Sequence, residues 1–410
     1  MELINNQYVI SSIPAIELAE KYGTPLYVYD ATKMESQYRR LINSFDTNVK
    51  INFACKALTN VSVLKVFKNL GAGIDTVSLQ EIKLGLMAGF NPSDIIFTPN
   101  CVDLTEIIEA IELGVNINID SLSILEKFGK KYGGTKPVGI RIKPGVMGGG
   151  HKKISTGHVD SKFGIEVENV SRILEIIQQY DLRIEGLHLH TGSDILDIEA
   201  FVKSADTMFE TAKHFKNLEY IDFGGGFKVS YKEGDYTTDI EYLGQLFSKR
   251  FNEFCREYGS QLTLYFEPGK FLVSQAGYFI TRVNVIKPSK NTTFASINSG
   301  FNHLIRPMYY DAYHHITNIS KPKASPKPYS VVGYICETDT FAWNREINEI
   351  EEGDYLVFQN AGAYCFSMAS NYNSRLLPAE VLIYHDKDYL IRKPQVFEDL
   401  TSNLVFPEIG

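Results

Sequence analysis

The sequence has none of the marks of a membrane-spanning, secreted or zinc-binding protein. Its 410 residues contain no apolar stretch approaching the roughly 20 residues that a bilayer requires. The opening segment, MELINNQYVISSIPAIELAEKYG, has no basic part followed by an apolar run, so we expect no signal peptide. The five cysteines are odd in number and lack CxxC spacing, so we expect neither a disulfide framework nor a metal site. These features favour the cytoplasm.

The chain also has fewer basic residues than acidic residues. Lysine and arginine number 41 against 49 acidic residues, a net charge of −8, and they form no basic arm or arginine cluster. This balance argues against nucleic acid or an anionic membrane as the main partner. With 44% hydrophobic and 22% charged residues, the chain has the composition of a globular protein, and its length suits two domains.

Eight short, strand-like segments follow one another from residue 50, and helix-like segments separate them. The apolar residues of the helix-like segments, such as VSVLKVFKNLG and LTEIIEAIELG, recur at i, i+3 and i+4. The strand-like segments are KINFACKA (50–57), AGIDTVS (72–78), DIIFTPN (94–100), NINIDS (116–121), PVGIRIKP (137–144), IEGLHLHTG (184–192), YIDFGGG (220–226) and LTLYFEPG (262–269). This alternation predicts an α/β fold with a TIM-type (β/α)8 barrel over residues 30–272.

The pattern changes after about residue 272, where strand-like segments follow one another with few helices between them. They are YFITRVNVIK, TTFASI, YSVVGYIC, DYLVFQN and AEVLIYH, and residues 7–10 and 25–29 have the same character. We therefore predict a β-rich domain that combines residues 273–410 with residues 1–29. We expect loops at KPKASPKP (321–328) and at KPGVMGGGHKKISTGHVDSKFG (143–164).

Polar residues stand at the carboxyl ends of the predicted barrel strands, where barrel enzymes place their chemistry. The set is Lys56, Asp75, Asn100, Asp120, Arg141, His188, His190, Gly224, Gly225, Gly226 and Glu267. Glu267, in YFEPGK, ends an apolar strand, where an unpaired charge is costly or shifts its pKa. Either a protein group pairs with this carboxylate, or a cation arrives from outside.

Three features of this set predict a cofactor. A lysine inside a barrel can form a Schiff base with an aldehyde, although most lysines at strand ends are solvated. The glycines at 224–226 suit a phosphate, although the motif could be a simple turn. With Glu267 facing a ring nitrogen, Lys56 and the glycines predict pyridoxal 5'-phosphate. His190 could stack on the ring or belong to the core, and we expect His188 to be a core histidine bonded to backbone.

Eight motifs carry a resemblance to a known family. FACKA, GIDTVSLQE, GLHLHTGSDI, IDFGGGF, FEPGK, LIRPMYYDAYH, ICETDTF and GAYCFSMASNYNSRLLPAEVLI occur in the order of the fold-type III pyridoxal-phosphate decarboxylases. The resemblance covers nearly the whole chain and is strongest to the diaminopimelate decarboxylases. It implies pyridoxal-phosphate-dependent conversion of meso-2,6-diaminopimelate to L-lysine and CO2, the last step of lysine biosynthesis.

The resemblance also implies a role for each matching residue. Lys56 would carry the cofactor, His190 would stack on its ring, and Glu267 would pair with its ring nitrogen. The phosphate would be held by Ser193, Gly224, Gly225, Gly226 and Tyr364, and the substrate by Lys270, Arg306, Tyr310, Glu337 and Tyr364. Cys336 would donate a proton. In the family the segment with this cysteine enters the neighbouring subunit's active site, which implies a homodimer with shared sites.

Two positions depart from the family pattern. Lys270 stands where the family usually has arginine, and Thr338 stands where it usually has serine. The threonine retains a hydroxyl, whereas Lys270 concerns the expected substrate pocket. Its ammonium could supply positive charge near the distal carboxylate of the substrate, or it could be a solvated loop lysine.

The sequence leaves other functions open. The nearest alternative is a decarboxylase of the same fold acting on ornithine, lysine or carboxynorspermidine. Arg306 argues against it, since a guanidinium repels an alkyl ammonium. An alanine racemase is disfavoured by the Cys336–Glu337 pair. A non-catalytic cofactor carrier is disfavoured because the chain keeps Lys56, Cys336 and the β-rich domain.

Overall fold

The computed structural model describes residues 1–143, 161–190, 192, 194–195 and 197–409, so Ser193 and most of the predicted 143–164 loop lie outside it. The chain forms two compact units. The β unit comprises Met1–Met34, Tyr231–Glu233 and Val273–Gly410, and the barrel unit comprises Glu35–Ser230 and Gly234–Leu272. The domain limits drawn from the sequence, at 29/30 and 272/273, stay a prediction.

Short elements open the β unit. In chain order they are β1 (Glu2–Ile4), β2 (Gln7–Ile10), β3 (Ile13–Pro14), α1 (Ala15–Tyr22) and β4 (Leu26–Asp30), followed by α2 (Ala31–Ile42). Strand β2 pairs antiparallel with both β1 and β3. Leu18 of α1 is buried in one apolar core with Val28 of β4, which fixes this segment to the sheet described below.

Nine strands are described in the barrel unit. They are β5 (Val49–Ala54), β6 (Gly73–Thr76), β7 (Ile95–Phe97), β8 (Asn116–Ile119), β9 (Val138–Lys143), β10 (Ile165–Glu166), β11 (Ile184–His188), β12 (Tyr220–Asp222) and β13 (Thr263–Phe266). Eight of them close a ring in the order β5-β6-β7-β8-β9-β11-β12-β13, and every pairing in the ring is parallel. The predicted (β/α)8 barrel is therefore confirmed. Strand β10, which the sequence did not predict, pairs with the last two residues of β9.

Helices connect the strands of the barrel. They are α3 (Val61–Asn69), α4 (Leu79–Ala88), α5 (Leu104–Glu112), α6 (Leu122–Tyr132), α7 (Val170–Tyr180), α8 (Ile198–Ala212) and α9 (Ile240–Tyr258), and the short α10 (Lys270–Val273) follows the last barrel strand. Polar caps start several of them, as where the Ser78 hydroxyl accepts a hydrogen bond from Glu81 N. The rings of Phe209 and Phe254 stack between α8 and α9, and Phe223 after β12 packs edge-on against Phe209.

The rest of the β unit consists mainly of strands. In chain order the elements are β14 (Gly277–Pro288), β15 (Thr293–Ile297), α11 (Arg306–Tyr310), β16 (Ile316–Asn318), β17 (Pro326–Val332), β18 (Thr340–Asn348), β19 (Tyr355–Phe358), β20 (Ala379–Tyr384), β21 (Lys387–Arg392) and α12 (Phe397–Thr401). The main sheet has the order β18-β17-β15-β14-β4-β20-β21, and β19 pairs with β14 and β16. Since β4 lies inside this sheet, the predicted β-rich fold with the N-terminal segment is confirmed.

The loop expected at 321–328 is partly wrong. Pro326 and Pro328 already belong to β17, where they pair with Asn348 and Glu346 of β18. Strand β15 reaches β17 only at Ser330 and beyond, so the prolines occupy a strand segment with one open edge. Proline has no N–H to donate, and it is tolerated there because the open edge has no neighbouring strand that requires a hydrogen bond from it.

In the described parts of the chain, no helix combines the length and the apolar character that crossing a membrane requires.

Candidate active site

Lys56 lies in a short 3-10 turn, Cys55–Ala57, directly after β5. Its ammonium forms a close ion pair with the carboxylate of Asp75 on the neighbouring strand β6. The Asp75 side chain is only 1% exposed, and burial, followed by the charge of Glu267, raises its pKa to about 7. A lysine at the end of a barrel strand, facing a buried acid, can exchange a proton with its neighbour.

Glu267 follows β13 directly and is buried. His188 Nε2, at the end of β11, lies 3.0 Å from Glu267 Oε2, so the imidazole donates a hydrogen bond to the carboxylate. The expectation that His188 is bonded to backbone is therefore wrong, because its ring nitrogen meets a side-chain carboxylate. Glu267 Oε1 is buried and meets no N–H or O–H donor of the described chain. This oxygen can accept from a cationic ring nitrogen.

Asp222, at the end of β12, completes this cluster and was not singled out by the sequence analysis. It is fully buried, and its Oδ1 accepts a hydrogen bond from Gly224 N at 2.8 Å. Burial and then the charge of Glu267 raise the pKa of Asp222 well above its usual range. The available signal was an acidic residue inside the apolar YIDF segment, directly before the glycines.

His190 contacts the glycine turn that follows β12. Gly225 N donates to His190 Nδ1 at 3.2 Å, which makes Nδ1 an acceptor and places the proton of the neutral ring on Nε2. Burial, followed by the charges of Arg141 and Lys56, lowers the pKa of His190 to about 3. The ring is therefore neutral at pH 7, which suits a histidine that stacks on an aromatic ligand.

The glycines at 224–226 are required by close packing. A Cβ would lie 2.5 Å from His190 Nδ1 at Gly224, and 2.4 Å from a carbonyl oxygen at both Gly225 and Gly226. Gly224 and Gly226 also have positive φ angles, +64° and +114°. The N–H groups of Gly224 and Gly225 bind Asp222 and His190. Phosphate binding by this turn stays a prediction.

Lys270, the first residue of α10, is held inside the barrel unit. Its ammonium lies 2.7 Å from Asp194 Oδ1, and its side chain is 10% exposed. The alternative of a solvated loop lysine is therefore wrong. A contact of Lys270 with substrate stays a prediction.

Arg306 opens α11 in the β unit and is buried. Its Nη2 donates to the hydroxyl of Tyr231 at 3.3 Å, and its guanidinium lies 5.4 Å and 6.0 Å from the ring centres of Tyr231 and Tyr310. Tyr231 in turn contacts Ser274 Oγ at 3.0 Å. The predicted pair Arg306 and Tyr310 is thus brought together, and Tyr231 is a further member that no sequence pattern signalled.

Cys336 and Glu337 lie in the loop between β17 and β18, and both are exposed. Asn373 Nδ2 lies 3.2 Å from Cys336 Sγ, and the hydroxyl of Tyr372 donates to the carboxylate of Glu337. Tyr364 lies between β19 and β20 with a φ of +56°. These residues belong to the β unit, whereas Lys56 and Glu267 belong to the barrel unit.

The barrel unit fits the cofactor predicted from the sequence. It presents an amine at the end of β5, a neutral imidazole and a tightly packed glycine turn. It also presents a buried carboxylate oxygen without a protein donor at Glu267. The amine, the imidazole and the carboxylate oxygen fit the aldehyde, the ring and the ring nitrogen of pyridoxal phosphate, whereas phosphate binding by the turn stays a prediction.

Comparisons with known proteins agree with this assignment. Residues 31–274 match the family described as pyridoxal-dependent decarboxylase, pyridoxal binding domain. The chain is 38% identical to the diaminopimelate decarboxylase of Methanothermobacter thermautotrophicus, with 96% of this chain and 94% of that protein covered. It is 35% identical to the same enzyme of Escherichia coli K12, with 94% and 95% covered. The structure of the Methanocaldococcus jannaschii diaminopimelate decarboxylase with L-lysine superposes with a TM-score of 0.91 at 32% identity, covering 99% and 98% of the two chains.

Proposed function

The chain belongs to the diaminopimelate decarboxylases, a family of pyridoxal-dependent decarboxylases, and on this premise we propose its reaction in detail. It removes the carboxylate at the D-configured centre of meso-2,6-diaminopimelate and yields L-lysine and CO2. The observation that carries the proposal is the similarity to diaminopimelate decarboxylases, at 35–38% identity over 94–96% of the chain. All eight motifs noted above lie within the chain in the family's order.

Residues of the barrel unit would hold the cofactor. Lys56 would bind it covalently, His190 would lie against its ring, and Glu267 would face the ring nitrogen. The turn at 224–226, with Ser193 and Tyr364, would hold the phosphate. When bound, pyridoxal phosphate supplies an electron sink for the electron pair that the departing carboxylate leaves behind.

Residues of the β unit would bind the distal end of the substrate and move a proton. The buried guanidinium of Arg306, oriented by Tyr231, is suited to the distal carboxylate, with Tyr310 beside it. Glu337 would meet the distal amine, and Lys270, which belongs to the barrel unit, would add positive charge near the substrate. The thiol of Cys336 would deliver the proton that replaces the lost carboxylate, so that one proton is consumed for each CO2 released.

The proposal includes a homodimer with shared active sites. Lys56 and Cys336 belong to different compact units, and in the related family the segment with this cysteine serves the neighbouring subunit. The expected cellular location is the cytoplasm, as the composition and cysteine usage indicate.

In the decisive assay, the purified protein is loaded with pyridoxal phosphate and incubated with each of several amino acids in parallel. We expect CO2 and L-lysine from meso-diaminopimelate, and little or no CO2 from LL-diaminopimelate, ornithine or lysine. Lys56→Ala serves as the inactive control. Comparable CO2 release from ornithine or lysine would show that the protein is one of the alternative decarboxylases. A reaction that leaves the carboxylate in place would contradict the proposal.

A further inference from the structure

Three buried side chains meet where β11, β12 and β13 end. They are His188, Asp222 and Glu267, and each offers one ring nitrogen or carboxylate oxygen within 4.8 Å of the other two. Their exposed fractions are 1%, 0% and 6%. The carboxyl groups of Asp222 and Glu267 are so close and so deeply buried that both cannot be ionised without a cation between them.

One proton shared by the two acids resolves the conflict. Asp222 Oδ2 and Glu267 Oε1 are both buried, and neither meets an N–H or O–H donor in the described chain. A proton on Asp222 removes the second negative charge and makes this side chain a hydrogen-bond donor beside the carboxylate of Glu267. Glu267 Oε1 then remains an acceptor for the ring nitrogen of the cofactor.

The environment decides which acid keeps the proton. Burial acts to raise the pKa of Glu267, but the hydrogen bond from His188 and the positive charge of Lys56 outweigh it and hold this pKa below its usual range. For Asp222, burial and the charge of Glu267 both act upward. The charged or titratable groups that interact with Glu267 lie on the barrel strands or directly after them, and they are Lys56, Asp75, Arg141, His188, His190, Tyr220 and Asp222.

His188 contributes as a neutral donor. Burial lowers its pKa, and its Nδ1 meets no hydrogen-bond partner in the described chain. An imidazolium would leave a second N–H buried without an acceptor, which is costly. The neutral ring with its proton on Nε2 fits the 3.0 Å contact with Glu267 Oε2.

We propose that Asp222, as a neutral acid, and His188, as a neutral imidazole, are positioning residues that keep Glu267 ionised and oriented toward the ring nitrogen of the cofactor. The inference rests on the proposed cofactor but not on the substrate. It assigns the three side chains unequal states: one anion and two neutral hydrogen-bond donors.

The test exploits the likeness between a protonated carboxyl group and an amide. Asp222→Asn keeps an oxygen for Gly224 N and an N–H for Glu267, whereas Asp222→Leu keeps neither. His188→Gln retains an N–H donor, and His188→Leu does not. We measure the ionisation of Glu267 in each apoprotein by isotope-edited infrared spectroscopy. We then measure pyridoxal-phosphate affinity and the protonation of the bound ring nitrogen by 15N NMR, without substrate.

The Asn and Gln variants are expected to keep Glu267 ionised and the ring nitrogen protonated, with cofactor Kd within a few-fold of the wild type. The Leu variants are expected to raise the Kd by tenfold or more and to lose ring protonation, with circular dichroism confirming that each is folded. A protonated Glu267 or a tenfold weaker Kd in Asp222→Asn would overturn the proposal, because Asp222 would then be acting as an anion. So would chelator-sensitive Zn²⁺ binding by the wild-type apoprotein that Asp222→Asn abolishes, since a metal ion displaces the proton. A protein that passes these tests but releases no CO2 from meso-diaminopimelate would refute the proposed function alone.

Discussion

Lys270 forms an ion pair with Asp194, at a position where the related family usually has arginine. An ammonium supplies a point charge, whereas a guanidinium offers a planar pair of donors. We therefore expect Lys270 to contribute to substrate binding through its charge rather than through a planar pair of donors.

Replacing Lys270 should affect substrate binding more than cofactor attachment. Lys270→Arg should be active. Lys270→Met should raise KM for diaminopimelate by the equivalent of about 1–3 kcal/mol, the contribution of one charge-assisted hydrogen bond. The double variant Lys270→Met with Asp194→Asn controls for the carboxylate that the single change leaves unpaired. An unchanged KM in the Met variant would remove Lys270 from the substrate site.

Arg306 should select substrates with a distal carboxylate. Arg306→Ala removes the charged donor for that carboxylate. We expect kcat/KM for diaminopimelate to fall by a factor that corresponds to a loss of roughly 2–5 kcal/mol of transition-state stabilisation. Tyr231→Phe is the matched variant, since it keeps the ring beside the guanidinium and removes only the 3.3 Å hydrogen bond. If Arg306→Ala processed diaminopimelate as well as the wild type, another group would have to bind that carboxylate.

At the scale of elements, the loop between β17 and β18 carries Cys336 and Glu337. The carboxylate of Asp339 holds this loop through hydrogen bonds to the backbone. Asp339 Oδ1 accepts from Phe301 N at 2.8 Å, and Asp339 Oδ2 accepts from Ile335 N at 3.1 Å. Gly300 and Gly333 leave room for this carboxylate, because a Cβ would lie 2.8 Å and 2.0 Å from Asp339 Oδ2. The position of the loop thus depends on a residue outside the Cys336–Glu337 pair.

Asp339→Ala should loosen this loop and leave the barrel intact. Two backbone N–H groups lose their acceptor, at a cost of about 1–3 kcal/mol each where they are buried. We expect a lower thermal midpoint, a faster reaction of Cys336 with a thiol reagent and a lower kcat, while borohydride still fixes the cofactor on Lys56. Glu398→Ala, at an exposed position of α12, is the control. Unchanged thiol reactivity in Asp339→Ala would show that other contacts hold the loop.

At the scale of the whole molecule, stability should depend on pH through buried neutral histidines. Ser299 Oγ lies 3.0 Å from His303 Nδ1, and His303 Nε2 donates to the carbonyl of Leu376 at 3.0 Å. Burial lowers the pKa of His303 to about 4. The imidazole of His303 therefore takes up a proton at a higher pH in the unfolded chain than in the folded chain. The contribution of neutral His303 to the free energy of unfolding is complete above about pH 6.5 and is lost as the pH falls toward 4.

His303→Gln should remove that pH dependence. The difference in unfolding free energy between wild type and variant should shrink by about 1 kcal/mol for each pH unit between pH 6 and 4.5. Comparison with His214→Gln, at an exposed position, separates this effect from the opposing effect of buried acids such as Asp75. A difference that stays constant over this range would mean that His303 titrates alike in the folded and unfolded chains.

Assembly is the other property of the whole molecule that can be tested. Lys56→Ala and Cys336→Ala should each be inactive. If active sites are shared between subunits, mixing the two variants should restore partial activity, since one site of each hybrid dimer carries neither lesion. No recovery under conditions of proven subunit exchange would show that each site is built from one chain.

The sequence by itself determined the class of fold, because strand and helix periods alternate along the chain. Its motifs also identified the residues that meet in the barrel unit, including Lys56, His190 and Glu267. Strand β18 was missed, because TFAWNREIN mixes buried and exposed positions irregularly and pairs with β17 through two register shifts. Local pattern cannot reveal a strand whose place is set by its neighbour.

Only the tertiary structure decided which groups surround Glu267. His188 lies 79 residues away along the chain, and no sequence spacing distinguishes a partner on β11 from a histidine bonded to backbone. The protonation of Asp222 was equally hidden, because it depends on the absence of water and on the distance to a second acid. Sequence names the side chains that a barrel can bring to one end. The closing of eight strands into a ring sets the distances and the burial that determine their charges.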